Sequence, residues 1–347
     1  MTETLRDIQS LVAANLVGAD SASALEKVSA SYAVAISPEI ARLIDVTDPH
    51  DPIARQFVPS VLELNPSAEE RGDPIGDNAH SPVPGIVHRH ADRVLFKPVH
   101  ICPIYCRFCF RREMVGHGGD GALSPEQIEA ALDYVAAHPE IWEVILTGGD
   151  PFILSPRRIR ALSERIASIT HVKIIRWHTR VPVVNPDRVS DELVAALKVE
   201  GATTYVALHA NHPREFSENA QRAIARLVDA GIPLISQSVL LRGVNDTVDV
   251  LEQLMRRFVE LRIKPYYLHH ADLASGTSHF RLPIEEGQAL IEALRSRVSG
   301  TCMPSYVLDI PGGHAKTPLA QAHVGKSETG YRLRDQQGNW HDYPEEA

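Results

Sequence analysis

RVLFKPVHICPIYCRFC, residues 93–109, joins a strand-like run directly to three closely spaced cysteines. Further strand-like runs follow, namely WEVILTG (142–148), KIIRWHT (173–179), TYVALHA (204–210), LISQSVLL (234–241) and PYYLHH (265–270). Amphipathic helical patterns lie near 124–138, 155–169, 190–200, 216–230, 247–262 and 284–298. Six strand–helix units in a row predict an α/β fold with a parallel sheet and right-handed crossovers. Periodicity alone leaves open whether the sheet closes partway into a barrel or stays an open doubly wound sheet.

The two ends of the chain differ from this repeat. Residues 1–85 predict a helical N-terminal appendage, with helices near 3–16, 22–34 and 38–45 before a proline-rich passage. The repeat, with the loop that follows it, occupies residues 86–317. Residues 318–347 form a polar C-terminal tail without a strong period.

Composition and charge exclude several classes of protein. The formal net charge of −9 argues against a nucleic-acid-binding protein, which usually carries a basic patch. No stretch approaches the ~18 apolar residues of a membrane span, and the first 16 residues lack the layout of a cleavable signal. We therefore expect a cytoplasmic protein without a membrane partner, in a compartment where thiols stay reduced.

The cysteines have the spacing CxxxCxxC, at Cys102, Cys106 and Cys109. They follow the first strand, and active sites of parallel α/β folds lie at the carboxyl ends of the strands. Thiolates are suited to iron–sulfur clusters or zinc, and three ligands leave one metal position open for a substrate. The alternative is a zinc-stabilised binding module without catalysis, its site completed by His100, His117 or Cys302.

CPIYCRFC (102–109) resembles the cluster motif of the radical S-adenosylmethionine (SAM) superfamily. The resemblance implies a partial (β/α)6 TIM-like barrel and a 4Fe–4S cluster that binds and cleaves SAM. TGGDP (147–151) is similar to the segment that holds the SAM amino group in that superfamily, which implies that Gly148, Gly149 and Asp150 bind SAM. Gln237 matches the glutamine that contacts the SAM ribose.

Three further segments, over roughly residues 80–320, resemble lysine 2,3-aminomutases. They are CRFCFRRE (106–113), HANHPREF with SQSVLLRGVND (209–216 and 236–246), and YLHHADLASGTSHFR with VLDIPGGHAKTP (267–281 and 307–318). Members of this family also use pyridoxal 5′-phosphate (PLP). The resemblance implies that Lys316 carries PLP and that Arg93 and Arg89 bind its phosphate, because guanidinium groups suit phosphate.

The resemblance also implies an isomerase that converts L-lysine to β-lysine by 2,3-amino migration. Arg111 matches the arginine that binds the substrate carboxylate, and Asp272 and Asp309 match the two aspartates that receive the ε-ammonium. Two close carboxylates without a cation would repel each other, so the pair predicts a cationic substrate. The open alternative within enzymes is an aminomutase acting on another amino acid or on a protein-bound lysine.

The chain departs from the family at several positions. His314 and Ala315 lie where well-known members carry more glycines, and Thr247 stands where some longer members carry a zinc-binding cysteine. We therefore expect no structural zinc. The short chain resembles a subgroup whose β-lysine is attached to elongation factor P. Expected partners are free lysine, a reductase or a flavodoxin- or ferredoxin-type electron donor, and further copies of the chain in a homo-oligomer.

Overall fold

One nine-stranded sheet organises the computed structural model, which describes residues 3–116, 121–327, 330–335 and 337–344. Its strands follow each other in chain order, and those from β2 to β8 are parallel. β1 and β9 pair antiparallel at the two edges. The strands are β1 (Ile86–His90), β2 (Arg93–Val99), β3 (Glu143–Gly148), β4 (Ile174–Thr179), β5 (Thr203–His209), β6 (Leu234–Leu240), β7 (Ile263–His270), β8 (Ser305–Asp309) and β9 (Lys316–Pro318). The parallel sheet curls into a half-barrel, which confirms the predicted fold class.

Helices connect the parallel strands and cover the sheet. Each crossover from β2 to β8 contains a helix, and shorter helices precede β1. They are α1 (Ile8–Ala13), α2 (Ala22–Ser31), α3 (Pro38–Leu43), α4 (Pro52–Phe57), α5 (Pro125–Ala137), α6 (Pro156–Ala167), α7 (Val181–Val184), α8 (Asp191–Leu197), α9 (Glu218–Asp229), α10 (Val248–Glu260) and α11 (Ile284–Arg295). In α5, Ser124 and Gln127 form a capping box around Pro125, so the sequence itself fixes where this crossover begins.

The core lies between the sheet and its helices. Phe96, Trp177 and Leu208 of the sheet are fully buried, as are Ile159 and Phe258 of the helices. Burying each such side chain contributes on the order of 1.5–3 kcal/mol. The carboxyl ends of the strands are therefore held by a rigid core, and the loops that follow them start from fixed positions. No helix in the described residues is long and apolar enough to cross a membrane.

Several elements were not predicted from the sequence. The parallel sheet has a seventh strand, β8, which is only five residues long and follows Pro304. In the polar tail, β10 (Val324–Ser327), β11 (Gly330–Arg334) and β12 (Trp340–Pro344) form a separate antiparallel sheet. Most of their side chains face solvent, so the apolar alternation that marks a half-buried strand is missing.

Candidate active site

A cavity of about 460 Å³ opens at the carboxyl ends of the parallel strands. It is lined by every residue for which the sequence predicts a role in the site. They are Arg89, Arg93, Cys102, Cys106, Cys109, Arg111, Gly148, Gly149, Asp150, Gln237, Asp272, Asp309 and Lys316. The topology thus brings together residues that lie up to 227 positions apart in the sequence, between Arg89 and Lys316.

The three cysteines lie on the loop that follows β2. Burial raises the pKa of all three thiols, that of Cys106 to about 11. Thiolates are the form that binds metal, so metal binding must displace the thiol protons here. The bound metal must also stabilise the thiolate charges, which burial disfavours. Arg180 donates a hydrogen bond from Nη1 to Cys106 Sγ at 3.2 Å.

Side chains from the N-terminal segment hold the cysteine loop in place. Glu63 is fully buried and accepts from Arg107, with Nε–Oε1 at 3.0 Å and Nη2–Oε2 at 2.6 Å, and it also pairs with Arg112. The guanidinium of Arg112 lies over the ring of Tyr32 at 3.5 Å. Buried ion pairs of this kind need complete partners, since a single unpaired charge would cost several kcal/mol. The residues before β1 therefore help to position the cysteine loop.

Gly148, the last residue of β3, and Gly149 directly after it allow the end of this strand to touch the cysteine loop. Gly148 has φ +104°, and a Cβ on Gly149 would lie 2.2 Å from the carbonyl oxygen of Ile101. The N–H of Asp150 donates to that oxygen at 3.0 Å. The Asp150 carboxylate accepts from the Arg180 N–H at 2.7 Å and the Thr179 hydroxyl at 2.8 Å. Packing against the loop thus requires glycine at 149, and the positive φ and the close approach to the Val99 carbonyl oxygen of β2 require it at 148, whatever else the pair binds.

Asp77 gathers three cations on one side of the cavity. Its Oδ2 accepts from Arg111 Nε at 2.9 Å and lies 3.6 Å from Lys97 Nζ, and its Oδ1 lies 3.8 Å from Arg89 Nη2. Burial alone would raise the pKa of Asp77, but Arg111 and Lys97 outweigh it and lower the pKa. One carboxylate among three cations leaves an excess of two positive charges. This side of the cavity is suited to anions.

Lys316 and two aspartates lie on another part of the wall. Lys316 on β9 forms an ion pair with Asp309 on β8, and its Nζ is 3.4 Å from His269 Nδ1. Burial opposes ionisation of Asp309, yet His269 and Lys316 prevail and hold its pKa well below the usual range. Burial, with the negative charge of Asp309, raises the pKa of Asp272 to about 7. The two carboxylates thus interact, and Asp309, next to the ammonium group, ionises at a lower pH than Asp272.

The chain matches the radical SAM superfamily over residues 96–258. It is 42% identical to an L-lysine 2,3-aminomutase of Clostridium subterminale, over 85% of this chain and 70% of that protein. An L-lysine 2,3-aminomutase of Bacillus subtilis is 35% identical over 99% of this chain and 73% of its own length. A glutamate 2,3-aminomutase of Clostridioides difficile is 34% identical, over 88% and 72%.

The chain belongs to the radical SAM aminomutase family. Membership makes it an isomerase and implies a 4Fe–4S cluster and SAM. The cavity of this aminomutase fits both groups, because three half-buried cysteines line it together with polar atoms that lack partners among the described residues. His178 Nε2 and His209 Nε2 are buried at its wall without a hydrogen-bond partner among the described residues. Burial lowers the pKa of both imidazoles well below its usual value, so both are neutral and able to bind a polar ligand.

Neither His100 nor Cys302, two of the ligands proposed for a zinc knuckle, lines the cavity that contains the three cysteines of the motif. Cys302 is buried on a short 3-10 turn before β8, and it is not among the residues lining the cavity that contains the other cysteines. His100 directly precedes the cysteine loop, and its N–H donates to the Gly121 carbonyl. His117 lies outside the described residues. Family membership sets aside the binding module without catalysis.

Sequence reasoning missed several side chains that shape this site. The sequence assigns no role to Arg180, Asp77, Lys97 or His269. A run of polar residues after a buried strand was the available signal for Arg180. Asp77 had no such signal, because it lies in the proline-rich passage and reaches its partners only in the folded chain.

Proposed function

We propose that this aminomutase converts L-lysine to β-lysine by moving the amino group from carbon 2 to carbon 3, with PLP as a third cofactor. The observation that carries the proposal is the pairing of Asp272 and Asp309 in the same cavity as the cysteines. The ammonium of Lys316 already occupies one side of this pair. That contact supports the view that an alkylammonium group, such as the end of a lysine substrate, fits here.

Different residues of the cavity would bind the substrate and each of the cofactors. Lys316 is the proposed attachment point for PLP, which Arg89 and Arg93 would hold by its phosphate. Arg111 would bind the α-carboxylate of lysine from the cationic side of the cavity. The opposite charges at the two ends of the cavity would then fix the orientation of lysine.

Cys102, Cys106 and Cys109 would hold the cluster, and Gly148, Gly149, Asp150 and Gln237 would bind SAM. When bound, these groups and PLP supply abstraction and return of a hydrogen atom and delocalisation of the unpaired electron. The protein's own part is to hold lysine within reach and to keep water out. The neutral imidazoles of His178 and His209 suit this task, because they bind polar atoms without adding charge.

The charge of the pocket favours lysine over glutamate, the amino acid named for one relative. A glutamate side chain would bring a third carboxylate toward Asp272 and Asp309, and like charges at close range cost several kcal/mol. A neutral side chain would leave the pair without a cation. We therefore propose strong rejection of both.

The proposal extends to the biological setting. It includes a flavodoxin- or ferredoxin-type electron donor or a reductase, a homo-oligomeric assembly and a cytoplasmic location. It also retains the division into an N-terminal helical segment (1–85), a cofactor-binding barrel (86–317) and a C-terminal tail (318–347). Free β-lysine and β-lysine destined for elongation factor P are both compatible with it.

A panel of amino acids tests the substrate. The reconstituted enzyme is incubated anaerobically with SAM, PLP, dithionite and, separately, L-lysine, L-glutamate or L-leucine, and β-amino acids are measured by mass spectrometry. We expect β-lysine alone to form. Production of β-glutamate at a comparable rate would overturn the assignment of the aspartate pair.

A further inference from the structure

Arg180 is the one described residue whose charged side chain donates a hydrogen bond to a sulfur of the cysteine motif. Nη1 lies 3.2 Å from Cys106 Sγ, and the side chain is almost fully buried. Burial weakens screening by water, so a donor in this position acts strongly on the sulfur. The guanidinium also stays protonated at any pH at which the protein is folded.

The rest of the guanidinium is fixed by other partners. Nη2 donates to Glu215 Oε2 and Gln56 Oε1, each at 2.7 Å. Its central carbon lies 4.7 Å from the ring centre of Phe57 and 5.4 Å from that of Phe108. Nη1 is therefore aimed at the sulfur by contacts that do not depend on it.

The partners of Arg180 are fixed in turn. Glu215 is fully buried, and its Oε1 accepts from the N–H groups of Asn211 and His212 at 2.8 and 3.0 Å. The same oxygen accepts from Gln56 Nε2 at 3.2 Å. Glu215 and Gln56 are thus positioning residues, and Gln56 links the N-terminal segment to the cluster site.

We propose that Arg180 raises the reduction potential of the cluster through its hydrogen bond to the Cys106 sulfur. The inference rests on the cluster site that family membership implies. In the reduction step the cluster takes one electron from an external low-potential donor, and its charge becomes one unit more negative. A fixed cation beside a ligand sulfur stabilises that added negative charge, and hydrogen bonds to the sulfurs are known determinants of cluster potential. No proton moves, because Arg180 is charged in both states.

Redox titration of the holoenzyme tests this role. The cluster-loaded protein is titrated with dithionite in the absence of SAM, and the reduced cluster is followed by electron paramagnetic resonance. The variant Arg180→Gln/Glu215→Gln removes the charged donor without leaving a buried carboxylate unpaired. The matched control is Arg176→Gln/Glu143→Gln. It removes the ion pair between Arg176 and Glu143, which lines the same cavity.

We expect the Arg180 double variant to lower the equilibrium constant for reduction at least tenfold, which is 59 mV for one electron. Arg180→Lys, which keeps the charge but has a single nitrogen, should shift the potential in the same direction by less. The control should shift it by less than either. Equal potentials in the Arg180 double variant and the control would overturn the proposal.

The outcomes separate this inference from the family assignment. If the parent protein binds no four-iron cluster by iron and sulfide analysis, the cluster site itself is wrong. If the parent binds the cluster and the potentials do not differ, only the role of Arg180 is wrong. Should the double variant fail to fold, as judged by circular dichroism, an unchanged potential in Arg180→Lys overturns the proposal.

Discussion

Lysine binding should strengthen as the pH rises through about 7, and Asp272→Asn should remove this dependence. Burial and the nearby charge of Asp309 raise the pKa of Asp272 to about 7. Relative to the ordinary value of 3.8, this disfavours the charged carboxylate by about 4 kcal/mol. The attraction between the charged carboxylate and an ammonium group at ~4 Å, with an effective dielectric near 20, stabilises the complex by about 4 kcal/mol. The two terms are comparable, so lysine binding and loss of the proton are coupled.

The magnitude follows from the fraction of ionised carboxylate. A group with a pKa near 7 is about 10% ionised at pH 6 and about 90% at pH 8, so KM for lysine should fall roughly tenfold over this range. At pH 8, Asp272→Asn should lower kcat/KM roughly 30- to 1000-fold, which corresponds to a loss of about 2–4 kcal/mol of transition-state stabilisation. The stability of the ligand-free protein depends on pH in the opposite direction. The folded ligand-free protein holds this proton more tightly than the unfolded chain, so Asp272 makes it less stable as the pH rises from about 4 to 7.

The assay is the initial rate of β-lysine formation against lysine concentration at pH 6, 7 and 8. Asp335→Asn serves as the matched control, because Asp335 lies in the C-terminal sheet region and bonds with His341. The control should follow the parent at each pH. A parent KM that does not change between pH 6 and 8, or an Asp272→Asn enzyme that keeps the parent's pH dependence, would refute the reasoning.

Three further predictions concern cofactor binding and stability. Lys316→Arg should remove covalently bound PLP, seen as loss of its visible absorbance, while iron content stays at the parent level; retention of the absorbance would show that another lysine carries PLP. Gly149→Ala should lower iron content, since the added Cβ would lie 2.2 Å from the Ile101 carbonyl oxygen, and parent-level iron would refute the close-packing argument. Glu63→Gln leaves two buried arginines short of a negative charge, so it should cost about 3–5 kcal/mol and lower Tm by about 4–7 °C. Glu129→Gln, which breaks an exposed ion pair, should cost less than about 1 kcal/mol, and equal losses in the two variants would contradict the role of Glu63.

The repeating part of the fold was accessible from the sequence. Its helices are long and amphipathic and its strands are apolar, so the period of hydrophobic residues marks both. β8 and the C-terminal sheet were missed because a short strand after a proline and strands exposed to solvent leave no such period.

The candidate site was predicted unevenly for a physical reason. Cys102, Cys106 and Cys109 are neighbours in the sequence, so their chemistry is visible in the order of residues. Arg180 and Gln56 meet across 124 positions, and nothing in either local segment indicates the contact. Residues that bind directly carry recognisable patterns, whereas the buried ion pairs that position them become visible only after folding.

Anaerobic turnover with omission of each component tests the central claim most directly. The enzyme is reconstituted with iron and sulfide, supplied with PLP, SAM, dithionite and L-lysine, and assayed for β-lysine by mass spectrometry. The account predicts β-lysine in the complete mixture and none when the cluster, SAM or PLP is left out. Cleavage of SAM with lysine unchanged, or β-lysine formed without PLP, would contradict it.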